Sequence, residues 1–289
     1  MFSSHVIIGI GEAVWNTNPP SPSPAGLAPL VAIRAAQVGH VGIPISRLGQ
    51  DNSADALLAS LQAAKVSVNH LQSDPDLPTA VYQLRRSASS ARTLIPNAAF
   101  DVLQWDFDLV DVAQRAAAVV YGQIARRNWQ SRSVIKQFLL ECTSAIRLFD
   151  LTNREGSPPA RADIATALEL ATSMILDSAA FSVLSPGVSM ENSESLVPAA
   201  LKILKSHDLD SLTLLIPNAG VHLFTPNHHT YQPVSSPLPD SSEAIAVALL
   251  TGMLDGDDPH NIASLAAQAW KHLAADRTLP LPSKLQGWS

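Results

Sequence analysis

Hydrophobic and polar positions follow two rhythms along this chain. Short apolar runs rich in β-branched residues alternate with longer, Ala-rich stretches in which apolar residues recur at helical spacing. The first run, Val-Ile-Ile-Gly-Ile at 6–10, predicts a buried strand. Small and apolar residues over 27–38 predict a helix, with Gly39 at its C-terminal cap. A strand at 41–48 follows, then a helix capped by Asn52 and running to about 64, then a strand at 66–71. Residues 79–84 alternate and pair with 92–95. A helix at 108–116 leads to a continuous apolar strand at 117–121. The 131–142 helix places Ile135, Phe138 and Leu139 on one face. Further strands are expected at 146–149, 173–176 and 212–216, with 221–224 as a hairpin arm. Further helices are expected at 160–171, 195–206, 242–254 and 261–275.

Repeated strand–helix–strand units place the chain in the α/β class, with a mostly parallel sheet covered by helices on both faces. Ligands in such folds sit at the carboxyl ends of the strands. Two segments rich in Pro and Ser, 18–29 and 226–240, read as loops within the fold because the alternation continues through them. The length of 289 residues suits one large domain. With 46% hydrophobic and only 15% charged residues, the chain has enough apolar surface for a core, which excludes disorder. A net charge of −6 argues against nucleic acid or an anionic membrane as the main partner. The single Cys142 rules out an internal disulfide or a cysteine-cluster metal site, and reads as a small buried hydrophobe. The N-terminal apolar run lacks the flanks of a signal peptide, so a cytoplasmic setting is expected.

Candidate chemistry is sparse. No G-x-x-x-x-G-K-[S/T] and no G-x-G-x-x-G follows a strand. In Asn227-His228-His229 the neighbouring imidazoles cannot easily share one ion, so the segment reads as a solvated loop and no metal ligand is assigned. His5, His40 and His70 read as strand-edge residues, and residues 256–258 as a turn leading into a helix.

A collinear set of short motifs says more. Gly11-Glu12-Ala-Val-Trp15-Asn16 opens the set. Ala35-Ala36-Gln-Val-Gly39 and Ser46-Arg47-Leu-Gly49-Gln-Asp51 follow, then Pro78-Thr79 and Trp105-Asp106. Tyr121-Gly122-Gln-Ile-Ala-Arg126-Arg127, Phe149-Asp150-Leu-Thr-Asn-Arg154 and the 243–254 stretch complete it. In this order they resemble the PfkB/ribokinase family of carbohydrate kinases, especially its fructokinase-like branch. The resemblance runs from about residue 6 to residue 282. It implies a single ribokinase-like domain over 1–289, a three-layer α/β/α fold with a mostly parallel central sheet. It also implies a small β lid inserted around 12–18 and 78–96. It further implies transfer of a phosphoryl group from ATP, with Mg²⁺, to a sugar hydroxyl. Glu243 takes the position of the general base. Asn16, Gly26, Arg127 and Arg154 take substrate-binding positions, and Asp177, Gly220, Ser241 and Ser242 nucleotide-binding ones.

The departures from the family pattern carry physical weight. Family members use Gly-Ala-Gly-Asp at a helix N-terminus, where bare backbone amides receive the migrating phosphate. Here the stretch reads Asp240-Ser241-Ser242-Glu243, without glycines and with an added carboxylate that repels phosphate. The sugar-gripping Asp is Asn16, and Leu30 stands where an Asn is expected. The stretch Asp177-Ser178-Ala179-Ala180 lacks the glutamate that organises Mg²⁺ and phosphate, and Pro217 replaces a glycine ahead of Gly220. Three readings follow. The first is a carbohydrate-kinase-like protein that binds a sugar or nucleoside, with phosphoryl transfer weak or lost and no cofactor needed. The second is a working ATP-dependent sugar kinase with Glu243 as base, and the third a non-catalytic interaction protein. An open lid edge predicts a homodimer through the lid strands.

Overall fold

A computed structural model of the chain describes residues 4–17, 22–84, 92–152, 160–239 and 241–275. They fall into two compact units divided between Ala145 and Ile146.

In the N-terminal unit the elements are β1 (Val6–Ile10), β2 (Val14–Asn16), β3 (Ser23–Ala25), α1 (Leu27–Gln37), β4 (Val41–Gly49), α2 (Asn52–Ala63), β5 (Leu71–Asp74), β6 (Ala80–Leu84), β7 (Arg92–Leu94), α3 (Asp108–Arg115), β8 (Ala118–Gly122) and α4 (Trp129–Glu141). Strands β5, β4, β1 and β8 lie side by side, all parallel, with Ile8 opposite both Ile43 and Val119. Ile7, Ile8, Ile10 and the whole of β8 are buried, as a sheet covered on both faces requires. A separate four-stranded sheet in the order β3-β2-β6-β7 is the small lid. Cys142 caps the end of α4 and is 1% exposed, the buried hydrophobe its context predicts.

The C-terminal unit runs β9 (Ile146–Leu151), α5 (Arg161–Leu168), β10 (Ser173–Asp177), α6 (Ser178–Leu184), α7 (Ser193–Ser206), β11 (Ser211–Ile216), β12 (Gly220–Phe224), β13 (His229–Pro233), α8 (Glu243–Asp255) and α9 (Pro259–Ala275). Strands β9, β10 and β11 are parallel, and β12 and β13 add antiparallel to the edge. Helix α8 is buried along most of its length, with Ile245, Val247, Leu249 and Leu250 sealed from solvent, so it is a core helix.

Several sequence expectations change. The strand expected at 66–71 begins only at Leu71. Lys65 adopts a left-handed φ of 59°, its N–H bonds to Gln62 O, and Val66 N–H bonds to Leu61 O. That pairing is a Schellman motif, and Val66 is its hydrophobic staple against Leu61. The cap of α2 is Asp51, whose Oδ1 accepts Ala54 N–H at 2.9 Å, in place of Asn52. Strand β13 lies inside the 226–240 stretch, and β3 and the first turn of α1 lie inside 18–29. Pro29 sits in that first turn, where a missing N–H costs nothing. Helix α6 was not expected at all. The turn at 256–258 does lead into a helix, with Asp258 Oδ1 accepting the N–H groups of His260 and Asn261.

Candidate functional site

The predicted site residues divide between the two units. In the N-terminal unit, Glu12 is 1% exposed and closes the start of α1. Its Oε1 accepts Leu27 N–H at 3.1 Å, and its carbonyl accepts Ala28 N–H at 3.2 Å. A carboxylate at a helix N-terminus meets both the unpaired amides and the favourable end of the dipole. Gly26 is the residue before that helix, at φ +86°. A Cβ there would lie 2.6 Å from the Glu12 carbonyl, so the close approach of two backbone segments demands glycine. Asn16 lies half-buried on β2, opposite Ser23 of β3, within the lid sheet.

Arg127 is engaged by its own unit. Its Nε and Nη2 each donate to one oxygen of Asp101 at 2.7 Å, and Nη2 also donates to Ile95 O at 2.9 Å. The guanidinium stacks 4.8 Å above the Phe100 ring. The fork geometry suits a carboxylate, and the carboxylate it has found is Asp101.

Asp51 and Thr79, both within the motifs that carry the resemblance, hold the base of the lid. Asp51 Oδ2 accepts Thr79 N–H at 2.8 Å, while Gly49 N–H donates to Thr79 Oγ1 at 2.9 Å. Burial alone would raise the Asp51 carboxyl. The amides of Thr79, Ala54 and Ser53 and the Thr79 hydroxyl outweigh it and hold the group below its ordinary range. Nearby, Arg47 pairs with Asp74 at 2.8 Å, both almost fully buried.

In the C-terminal unit, Ser241, Ser242 and Glu243 meet at the start of α8. Glu243 is the first residue of the helix and 0% exposed, and Ser241 Oγ donates to its Oε2 at 2.7 Å. Ser242 is 2% exposed. Its Oγ donates to Asp150 Oδ2 at 3.1 Å and lies 2.7 Å from Thr152 Oγ1. Thr152 in turn donates its N–H and its hydroxyl to Asp150 Oδ1, at 2.9 and 2.6 Å. The side chain of Ser242 thus fills the space beside the first turn of α8 and ties it to the end of β9. Arg154 and Asp240 lie outside the described residues.

The nucleotide positions are likewise engaged locally. Asp177 caps α6, its Oδ1 accepting Ala180 N–H at 2.8 Å. Ala180, where the family pattern calls for a glutamate, is fully buried. Gly220 starts β12 at φ +145°, and a Cβ there would collide with the Gln232 carbonyl of β13, so its glycine serves the strand pairing. Among the described residues no group of three or more His, Cys, Asp or Glu is placed to hold a metal ion. No helix among them is long and apolar enough to cross a membrane.

No protein-family model matches the chain, and no curated protein does. Solved structures do. A 2-dehydro-3-deoxygluconokinase from Thermotoga maritima superposes with a TM-score of 0.81 at 16% identity, covering 96% of this chain and 95% of that one. A fructokinase from Xylella fastidiosa with bound ATP gives 0.75 at 18%, covering 96% of each. A fructokinase from Vibrio cholerae O395, solved with fructose, ADP and calcium ion, gives 0.73 at 21%, covering 97% and 95%. The chain has the ribokinase-like fold of these sugar kinases.

Proposed function

We propose that this chain is a carbohydrate-kinase-like protein that binds a sugar or a nucleoside and in which phosphoryl transfer from ATP is weak or lost. One observation carries the reading. Ser242 stands where the family pattern has a glycine, and its hydroxyl is sunk between Asp150 and Thr152. A phosphate needs bare amides at the first turn of the helix. Here that turn is sealed, with Ser242 and Glu243 at 2% and 0% exposure. The residues present do not fit the triphosphate of ATP with its Mg²⁺ either. The Asp177 carboxylate is spent on its own helix, and Ala180 offers no ligand where the pattern has a glutamate. Asn16 on the lid, which still offers an amide to hydroxyl groups, and Gly26 at the start of α1 are the positions that suit a polar ring with hydroxyl groups. Among the described residues the lid sheet ends in β3 and β7, edges that suit a homodimer, and the lone buried thiol suits the cytoplasm.

Calorimetry with ATP·Mg²⁺, fructose and a nucleoside, alongside a fructose phosphorylation assay, tests this. The expected result is binding of a sugar or nucleoside without micromolar ATP binding and without turnover. ATP binding with steady phosphorylation overturns the reading. Binding of none of the three favours a non-catalytic interaction protein.

One feature favours an active enzyme as the second reading: a carboxylate, Glu243, occupies the first position of α8, at the favourable end of its dipole. In that case Glu243→Ala lowers turnover about 100-fold or more, the loss expected for a general base.

A further inference from the structure

The edge hairpin of the C-terminal unit brings two histidines together that sequence spacing keeps apart. Strands β12 and β13 are joined by a tight turn in which Thr225 N–H bonds His228 O. The register sets Phe224 opposite His229, and His222 opposite Tyr231. Alternation then puts all four rings on one face of the hairpin. His229 stacks on Phe224 with centroids 4.4 Å apart, and Tyr231 lies 4.6 Å from His222. On the diagonal, His222 Nδ1 and His229 Nε2 are 3.1 Å apart, with their rings coplanar within 2°.

We propose that His222 and His229 form a two-imidazole binding site for a borderline transition-metal ion such as Zn²⁺. Two nitrogens on one such ion, each about 2.0–2.1 Å from it at a tetrahedral angle, lie about 3.3 Å apart. The observed 3.1 Å is within reach of that bite. His222 is buried and stays in place, whereas His229 lies exposed on the edge strand, so its ring is the one that swings to open the bite. Without metal the two facing nitrogens share one proton. On binding, that proton moves to the far nitrogen of its own ring, two N–metal bonds form, and no electron is transferred. Water completes the coordination. The adjacent pair His228-His229 has no part in it, because the second ligand comes from the neighbouring strand. The site shares strand β12 with Gly220 but uses none of the kinase-like positions, and it does not depend on the function proposed above.

The test is a calorimetric zinc titration of the full chain at neutral pH, metal-free at the start, with His229→Gln and His228→Gln as variants. Both side chains are exposed, so neither change threatens the fold. The expected result is one zinc per chain, bound at least about tenfold more weakly by His229→Gln, as for loss of one of two ligands, and unchanged in His228→Gln. Absence of binding up to millimolar zinc overturns the proposal. So does a His229→Gln titration that matches the parent, or a loss confined to His228→Gln.

Discussion

At the scale of single residues, the side chains that look most chemical in the sequence are largely held by neighbours. Arg127 takes a substrate-binding position by resemblance, yet its guanidinium is paired with Asp101, 26 positions away. Nothing in local sequence names that partner, because the pair exists only after the segment leading into α3 folds against the turn after β8. Arg127→Ala is expected to cost about 2 kcal/mol, because Asp101 is left buried with fewer partners. A thermal melt checks this, and an unchanged melt would return Arg127 to the pool of ligand contacts. Ser242 makes the opposite case. Its substitution for glycine was legible, but the place its hydroxyl would go was not. Ser242→Gly removes the bonds to Asp150 and Thr152 and uncovers the first turn of α8. It should destabilise the chain by about 1 kcal/mol and raise its affinity for ATP·Mg²⁺ measured by calorimetry. An affinity that stays flat would mean the obstruction lies elsewhere. Gly26, a substrate-binding position by resemblance, also has a steric reason to be glycine, the Glu12 carbonyl 2.6 Å from any Cβ.

At the scale of elements, strands with β-branched runs and helices with a clear apolar stripe were readable. Those built by pairing were not. Strands β2 and β3 are three residues each, too short for a period to register. Strand β13 lies in a Pro-rich stretch and is stabilised by a neighbour, β12, and by α9 packed against it. Val66 looks like the start of a strand because a hydrophobic staple has the same polarity signature as a strand residue. The β12–β13 hairpin also has a pH signature. Burial, and secondarily His229, favour the neutral form of His222 in the folded state down to about pH 4, while an unfolded histidine takes up its proton near the ordinary 6.5. The stability from this group is therefore complete above about pH 6.5 and is lost as pH falls toward 4, to a limit of about 3 kcal/mol. His229 shifts in the same direction. Melting temperatures taken from pH 7 to 4.5 should fall, and fall less steeply in His222→Gln. Equal slopes would remove the hairpin from the acid response.

At the scale of the whole molecule, the strand–helix alternation shows the α/β class, while the small lid sheet is expected only from the family resemblance. Parallel pairing follows from crossover helices that the periodicity shows. The antiparallel additions at β12 and β13, and the division into two compact units, depend on contacts that no local pattern encodes. Among the described residues the lid sheet ends in β3 and β7, and a sheet edge invites a second copy. Light scattering at micromolar concentration should therefore give about twice the 30.7 kDa chain mass. A value of one chain mass removes the lid from the assembly argument. Cys142 gives the molecule a reporter of its own. The chain has one cysteine, and in the folded state it is sealed at the end of α4. A thiol-reactive dye can label it only during excursions that expose that helix end. The labelling rate in native buffer is then a direct clock for opening of the N-terminal unit, with no engineered probe required.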